Sequence, residues 1–414
     1  MKAVFPRQRE RMKRYIAVQF GARRAYAVPT LLEEAGLLEA FYTDLCGNVG
    51  VGRLLSSLPF ALQPGSLQRL ARREVPENIK SKTITFPWPT FNHFLRQVSG
   101  KYRSAVGDDI LWDAFDDALG QAMIRRGLGQ ATHIFSMAGE CKPFIQHAHN
   151  QGLTVVTEFY SMPSRRKIYQ EEWKRFPDME DEPDDAYVEA YAAKQREICS
   201  LTDWVIAPSA HVIEDLTQNF GFPREKCFVV PYAVHESWLD VQNEPVPGRV
   251  LFVGLTGLGK GIHYVGQAKQ IIHESKFDFR VVGFASERVR RHRLCQGLNF
   301  VGFVPRTEVK EEFRKADIFI LPSLFEGSAE VTYEALATGL PVITTAATGS
   351  VVRDGVEGFI IPERDPHALA ERIRQLVEDR PLRDRMAAAA KARARDFTWK
   401  QYGARLQTVF SQIP

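Results

Sequence analysis

The chain has 414 residues, of which 44% are hydrophobic and 25% are charged, and its formal net charge at pH 7 is +4. This length exceeds that of one typical domain and predicts two domains, while the composition is that of a folded globular protein. The net charge is too small to indicate nucleic acid as a partner. No apolar run approaches the ~20 residues that a membrane-spanning helix needs.

The five cysteines and the N-terminus indicate where the protein resides. The cysteines are widely scattered and lack the close spacing of a zinc or redox site, which predicts reduced thiols in a cytosolic protein. The first 21 residues carry basic side chains without the apolar core of a signal peptide. We therefore expect a cytoplasmic protein.

In the N-terminal half, short apolar runs alternate with amphipathic helical stretches, a pattern typical of parallel sheets covered by helices. The run "YIAVQF" predicts a buried strand, the loop "GARR" follows, and "AVPTLLEEAG" predicts a helix with Pro29 in its first turn and Gly36 at its end. Further strands are predicted at "LEAFYTD", "THIFSM", "LTVVTEF" and "DWVIAPS", and a long helix at "GDDILWDAFDDALGQAMIRRG". Residues 50–104 give no clear pattern.

A polar segment with two prolines, "DVQNEPVPG", predicts a linker before the C-terminal half. After it, strands are predicted at "RVLFVG", "FRVVGF", "LNFVGFV", "DIFILPS", "PVITT" and "GFIIP", and the last forty residues are predicted to be helical. The sequence thus predicts an α/β protein with domains at 1–240 and 241–395, each an open parallel sheet, and a final helix at 396–414. Ligands of such sheets bind at the carboxyl ends of the strands, here in a cleft between the two domains.

The stretch "VGLTGLGKGIHY", residues 253–264, resembles the phosphate-binding loop of NTPases. Gly254, four residues, Gly259 and Lys260 fit that pattern, but Gly261 stands where a serine or threonine would hold Mg²⁺. The residues alone leave two interpretations open: an NTPase or kinase loop, or a lysine that meets phosphate in another architecture.

The stretch "EGSAEVTYEALATGLPV", residues 326–342, carries two glutamates, Glu326 and Glu334, with seven residues between them. A buried strand is predicted to end just before it, and a helix to run from about Ala329 to Thr338 with Gly339 capping its end. Glu326 then lies in the loop and Glu334 lies inside the helix. The backbone amides of Gly327 to Glu330, at the positive end of the helix dipole, would favour negative charge nearby.

These motifs, in this order, resemble those of the family 4 glycosyltransferases, retaining enzymes of the GT-B fold with an E-x7-E signature followed by EA-x-A-x-G-x-PV. The similarity extends through "FVGLTGLGKGIHYV", "TDWVIAPSAHVIEDLTQNFGFPREKCFVVPYAV" and "GVEGFIIPERDPHALAERI" and covers roughly residues 195–414. The N-terminal half is similar in outline only. The resemblance implies two Rossmann-like domains that face each other across a cleft, with the final helix, residues 396–414, packing back across their interface.

The resemblance also implies roles for residues. Lys260, before Gly261, matches a lysine that reaches the donor diphosphate, and with Glu326 it is a predicted catalytic residue. Glu334 is expected to bind the ribose of the donor. Donor contacts are also predicted for the residues after Glu326 and in the first N-terminal loop: Gly327, Ser328, Ala329, Glu330, Gly21, Arg23 and Arg24.

Two positions depart from the family pattern. Leu255 stands where many members carry an arginine on the diphosphate, and "FSMAGE" stands where many have a histidine.

We expect a metal-independent, retaining transfer of a sugar from a UDP- or GDP-sugar to a glycan or lipid-linked acceptor, as in polysaccharide biosynthesis. The alternatives are a catalytically silent GT-B subunit that binds a nucleotide sugar or a partner protein, and an NTPase or kinase.

Two charged segments have an ordinary and a functional interpretation. The basic N-terminus, from Lys2 to Arg24, is either a disordered tail or a segment attracted to anionic lipid at ~1 kcal/mol per basic residue. In the second case the apolar stretch "RLLSSLPFALQ" could add a peripheral contact with the inner face of the membrane. The acidic run "DMEDEPDD", residues 178–185, is expected to be a solvated face or loop.

Overall fold

A computed structural model describes residues 12–57, 68, 70, 72–98 and 105–414. The chain divides into two compact units. The first unit holds the described residues up to Glu158, together with Ser200–Val205 and Phe410–Pro414. The second unit holds Phe159–Cys199 and Ile206–Val409.

Seven strands form the first sheet, in the order β3-β2-β1-β4-β5-β6-β7, and the neighbours from β3 to β5 pair in parallel. The strands are β1 (Tyr15–Val18), β2 (Leu38–Thr43), β3 (Thr83–Thr85), β4 (His133–Met137), β5 (Thr154–Glu158), β6 (Trp204–Ala207) and β7 (Cys227–Val229). Its first six strands follow the Rossmann order. Ile16 pairs with Ala40 on one side and with Ile134 on the other. All four residues of β1 are buried because a parallel sheet is covered on both faces.

The helices of the N-terminal part lie where the amphipathic pattern predicted them and also in the segment that gave no pattern. They are α1 (Ala27–Glu34), α2 (Gly50–Ser56), α3 (Glu77–Lys80), α4 (Pro87–Val98), α5 (Ala105–Arg126) and α6 (Lys142–Asn150). Pro29 lies in the first turn of α1, and Gly36 adopts φ +69° one residue beyond the C-cap. Leu119 and Met123 of α5 and Phe144 of α6 are buried in one apolar core with strand residues such as Ile16.

Six parallel strands form the second sheet, in the order β10-β9-β8-β11-β12-β13, which is again the Rossmann order. The strands are β8 (Arg249–Val253), β9 (Asp278–Val282), β10 (Asn299–Gly302), β11 (Ile318–Leu321), β12 (Val342–Thr345) and β13 (Gly358–Ile361). All six predicted strands are confirmed. The strand order reverses between β8 and β11, and ligands of open α/β sheets bind at such a switch point.

The remaining helices belong to the second unit, except that two of them end in residues of the first unit. They are α7 (Arg165–Arg175), α8 (Asp185–Ser200), α9 (Ala210–Phe220), α10 (Ile262–Ile271), α11 (Glu287–Arg291), α12 (Arg306–Lys315), α13 (Glu330–Thr338), α14 (Pro366–Glu378), α15 (Arg380–Ala394) and α16 (Trp399–Gln412). The prediction of a helical C-terminus is confirmed. No helix within the described ranges combines the length and the apolar character that crossing a bilayer requires.

The predicted domain boundary at 240/241 lies between the last strand of the first sheet and the first strand of the second. The end of the chain belongs to the first unit, where the Lys13 ammonium donates to the carbonyls of Phe410 and Ser411 at 3.2 and 3.1 Å. The rings of Tyr15 and Phe410 lie 5.2 Å apart between centroids. Part of the basic N-terminus is therefore used in the fold, whereas residues 1–11 lie outside the described residues.

Candidate active site

Two loops meet at the switch point of the second sheet. We call residues 254–261, which follow β8, the lysine loop, and residues 322–329, which follow β11, the glutamate loop. The strands β8 and β11 are paired, so both loops leave the same edge of the sheet. The amide of Leu324 donates to the carbonyl of Gly259 at 2.8 Å. The backbones of the two loops are thus joined directly.

Glycines make this close approach possible. A Cβ atom on Gly259 would lie 2.4 Å from Cζ of Phe325, and one on Gly261 would lie 2.1 Å from the carbonyl oxygen of Pro322. Gly261 also adopts φ +69° at the N-cap of α10, a conformation that side-chain-bearing residues rarely take. This geometry requires glycine at 261 for reasons that do not involve Mg²⁺. It argues against an NTPase loop, which needs a serine or threonine there.

The two predicted catalytic residues meet in this arrangement. Lys260 ends a short 3-10 turn, Leu258–Lys260, and its ammonium forms an ion pair with Oε1 of Glu326 in the glutamate loop. Their side chains are 27% and 20% exposed, so both remain accessible to a ligand. The pair places one positive and one negative charge side by side where the two loops join.

The residues after Glu326 are held by contacts of their own. The Ser209 hydroxyl donates to the Gly327 carbonyl at 2.7 Å, and a Cβ on Gly327 would lie 1.8 Å from the carbonyl oxygen of Tyr160. The Ser328 hydroxyl donates to the Gly349 carbonyl at 2.7 Å and lies 2.8 Å from the hydroxyl of Tyr333. The hydroxyl group of Ser328 therefore has a packing role. Donor contacts of Gly327 and Ser328 stay predictions.

Helix α13 begins and ends as the sequence predicted. The amide of Ala329, its N-cap, donates to the carbonyl of Thr348 at 3.1 Å, and Gly339 ends the helix at φ +83°. Glu330 is exposed in the first turn, and Glu334 is partly buried one turn further along. The roles of Ala329, Glu330 and Glu334 in donor binding stay predictions.

The three candidates in the first unit lie in the loop after β1. The amide of Gly21 donates to Oδ1 of Asp44 at 3.0 Å. Arg23 pairs with Glu140 at 3.2 Å, and Arg24 pairs with the buried Glu158 at 2.5 Å. Both arginines that were expected to meet a diphosphate thus already have a glutamate partner, which the sequence did not reveal. A donor role for Gly21, Arg23 and Arg24 stays a prediction.

The loop after β1 contains strained backbone, and the pKa of Glu140, the partner of Arg23, is raised. Arg24, Ala25 and Tyr26 have φ values of 47°, 49° and 61°, which are unfavourable for residues with a side chain. Burial raises the pKa of Glu140 to about 8, although Arg23 and the amide of Phe20 act in the opposite direction. The arginine–glutamate pairs hold the strained segment in place.

The acidic run that was expected to be solvated is only partly so. The side chains of Asp178 and Asp181 are exposed, yet Asp178 accepts from Nε2 of His292 and Asp181 from Arg288, both at 2.9 Å. Glu180 is partly buried and accepts from the amide of Leu258 in the lysine loop at 3.3 Å. The expectation is wrong for Glu180, because its partner lies far away in sequence.

The comparisons agree with this fold and with these loops. The family described as Glycosyl transferases group 1 has a model that matches residues 240–393, which include both loops. The matched segment is thus similar to glycosyl transferases group 1, and the chain has the GT-B fold. The predicted GT-B fold is confirmed, and the match supports the predicted resemblance to glycosyltransferases.

Three similar proteins are informative. Glycogen synthase of Mycobacterium tuberculosis is 25% identical over 319 residues, which are 71% of this chain and 74% of that protein. The structure of HepE from Anabaena in complex with UDP and glucose has a TM-score of 0.60 at 14% identity and covers 97% of this chain and 100% of its own. Sucrose-phosphate synthase from Thermosynechococcus elongatus has a TM-score of 0.64 at 16% identity, with coverage of 97% and 99%.

Proposed function

We propose that this glycosyltransferase moves a sugar from a UDP- or GDP-sugar to a glycan or lipid-linked acceptor, with retention and without an obligatory metal. The observation that carries the proposal is the ion pair of Lys260 and Glu326, on neighbouring loops at the switch point of the second sheet. The structure of the similar HepE protein contains UDP and glucose, which supports a nucleotide-sugar donor.

The chemistry follows from the charges. When the bond between sugar and diphosphate breaks, negative charge develops on the leaving diphosphate, and a positioned ammonium group stabilises that charge. Lys260 would exchange its bond to Glu326 for bonds to the diphosphate, which leaves the Glu326 carboxylate available for hydroxyl groups of the donor sugar. Glu334, one turn into α13, would accept from the ribose. The lysine supplies the positive charge that other transferases obtain from a metal ion.

A donor panel tests the proposal. Thermal stability and sugar-nucleotide hydrolysis are measured with UDP-, GDP- and ADP-sugars, in EDTA and then in Mg²⁺. The variants are Lys260→Ala, Glu334→Ala and the control Glu371→Ala, which removes an exposed glutamate from α14. We expect one donor class to stabilise the wild type and to be hydrolysed slowly in EDTA. Both effects should be lost in the two site variants and kept in the control.

Two alternatives give different results in the same panel. A silent subunit is favoured by Leu255, which is 68% exposed where many family members carry an arginine; it predicts binding without turnover even when acceptors are supplied. An NTPase predicts stabilisation by Mg-ATP and no response to sugar nucleotides. Either result would overturn the proposed transfer reaction.

A peripheral location on anionic membranes, at the cytoplasmic face, is a second part of the proposal. Since Lys13 and Arg14 bond to other parts of the first unit, the test removes only residues 1–11. Four basic residues would be lost, each contributing ~1 kcal/mol near an anionic surface. Flotation with phosphatidylcholine vesicles, with and without phosphatidylserine, should show that the truncated protein loses most of its phosphatidylserine-dependent binding. Unchanged binding would exclude residues 1–11 as a membrane contact.

A further inference from the structure

A buried carboxylate group in the second unit gathers three polar side chains. Glu172 of α7 is fully buried, and its Oε1 accepts from the hydroxyl of Tyr264 at 2.5 Å and contacts Nε2 of His263 at 2.9 Å. Its Oε2 accepts from Nε of Arg364 at 2.7 Å. Phe176 covers the group, with its ring centroid 4.5 Å from that of His263. We call these four hydrogen-bonded residues the Glu172 cluster.

The cluster is charged, and one of its members is strained. Burial raises the pKa of Glu172, but the hydrogen bonds from His263, Tyr264 and Arg364 outweigh it and lower the pKa to about 2. The carboxylate is therefore ionised at neutral pH. Arg364 adopts φ +63°, which is unusual for a residue with a side chain. Strain of this kind persists where the surroundings enforce it, and it concentrates at functional sites.

The cluster lies directly beside the lysine loop. His263 and Tyr264 are the second and third residues of α10, whose N-cap is Gly261, the residue after Lys260. On the other side of the lysine, the amide of Leu258 donates to Glu180 at 3.3 Å. Glu172 and Glu180 come from one segment, residues 165–181, which we call the strap. The strap thus holds the backbone both before and after Lys260.

Another buried carboxylate group in the same unit provides a contrast. Asp317 is fully buried and is paired with Arg380 at 2.7 Å and with Arg383 at 3.1 Å. It lies just before β11, at the amino end of the strand, whereas Lys260 and Glu326 lie beyond the carboxyl ends of β8 and β11. Glu172 and Asp317 are both buried, and each is paired with arginine side chains of its own. They differ in their distance from the candidate site.

We propose that Glu172 is a positioning residue for the donor diphosphate: through His263, Tyr264 and Arg364 it fixes the helix start that sets the position of Lys260. This inference rests on the proposed function, because it assumes that Lys260 meets the diphosphate. Without the cluster, the lysine loop would sample positions in which the ammonium does not reach the phosphates. Binding would then weaken although Lys260 itself is unchanged.

The test is a double-mutant cycle on the binding of UDP, GDP and ADP. Calorimetry gives the dissociation constants for wild type, Glu172→Gln, Lys260→Ala and the double variant, at a temperature where circular dichroism shows all of them folded. We expect Glu172→Gln to weaken binding of the preferred nucleotide about tenfold, as for one charge-assisted hydrogen bond. In the Lys260→Ala background the same change should have little further effect, because non-additivity is the mark of coupled residues.

Two further variants separate positioning from stability. Asp317→Asn should lower the melting temperature yet leave nucleotide affinity unchanged. Arg364→Gly removes one partner of Glu172 and relieves the strain at φ +63°, so it should fold and still bind the nucleotide several-fold more weakly. Arg364→Gly takes the place of Glu172→Gln in the test if Glu172→Gln does not fold.

Each outcome bears on the inference. The positioning role would be overturned if Glu172→Gln and Arg364→Gly bind with wild-type affinity. It would also be overturned if the factors by which Glu172→Gln and Lys260→Ala raise the dissociation constant simply multiply in the double variant. Neither result would affect the proposed function. A wild-type protein that binds none of the three nucleotides would overturn the proposed function and this inference together. Weakening in the cluster variants that vanishes in the Lys260→Ala background supports the role.

Discussion

Replacing Gly261 by serine would complete the NTPase-like pattern of the lysine loop, yet the structure predicts that this change is destabilising. Two terms contribute. A side chain at φ +69° is in the left-handed region, which costs roughly 1–2 kcal/mol. Its Cβ would lie 2.1 Å from the carbonyl oxygen of Pro322, and backbone shifts forced by overpacking cost about 1–3 kcal/mol. Together Gly261→Ser should lower the free energy of unfolding by about 2–5 kcal/mol.

A second glycine in the same unit isolates the steric term. Gly221, after α9, has φ +67°, and a Cβ there would meet nothing within 4 Å. Gly221→Ser should therefore incur only the backbone term, about 1–2 kcal/mol. Guanidinium unfolding followed by fluorescence gives both values as midpoint shifts at equal slope. The difference between the two variants measures the contact with Pro322.

The same pair of variants tests the alternative function. Binding of Mg-ATP is measured by calorimetry for the wild type and for both serine variants. If Gly261→Ser is no less stable than Gly221→Ser, the steric argument is refuted. If it also binds Mg-ATP more tightly than the wild type does, the lysine loop is an NTPase loop that lacks its hydroxyl.

Three other predictions concern residues of the second unit. Gly327→Ala should lower the free energy of unfolding by about 1–3 kcal/mol, seen as a shifted denaturation midpoint, because its Cβ would lie 1.8 Å from the Tyr160 carbonyl oxygen; an unchanged midpoint would contradict that contact. Since the pKa of Glu172 is lowered from 4.5 to about 2, its contribution to stability should be full above pH 4.5 and lost as the pH falls towards 2. Melting temperatures should accordingly fall less steeply in Glu172→Gln than in wild type over that range, and parallel curves would refute the effect. Cys227 should react first with a thiol reagent under native conditions, because it is partly exposed and the other four cysteines are buried. Peptide mapping identifies the labelled site, and first labelling at a buried thiol would contradict the packing.

The sequence allowed the strands of the second sheet to be predicted because each is a short apolar run buried on both faces. The two strands that were missed, β3 and β7, are only three residues long and lie at the edges of the first sheet. A run of that length carries too little periodicity to be distinguished from a loop.

The candidate site was predictable where its residues lie within motifs and not where they depend on distant partners. Lys260 and Glu326 were identified from two local patterns, and the structure brings them together. Glu172 and Arg364 lie 192 residues apart, and neither stands in a pattern that marks it. Arg23 and Arg24 were selected from charge and position, and neither signal indicated that Glu140 and Glu158 pair with them.

The long separation of the strap from its partners has a consequence for biosynthesis. Glu172 leaves the ribosome 192 residues before Arg364, and at about 5–20 residues per second this interval is on the order of ten seconds or more. During that time the glutamate lacks the guanidinium group of Arg364, and the strap has only its partners in the lysine loop and at the start of α10. The candidate site can therefore be completed only late in translation, when most of the chain has already emerged.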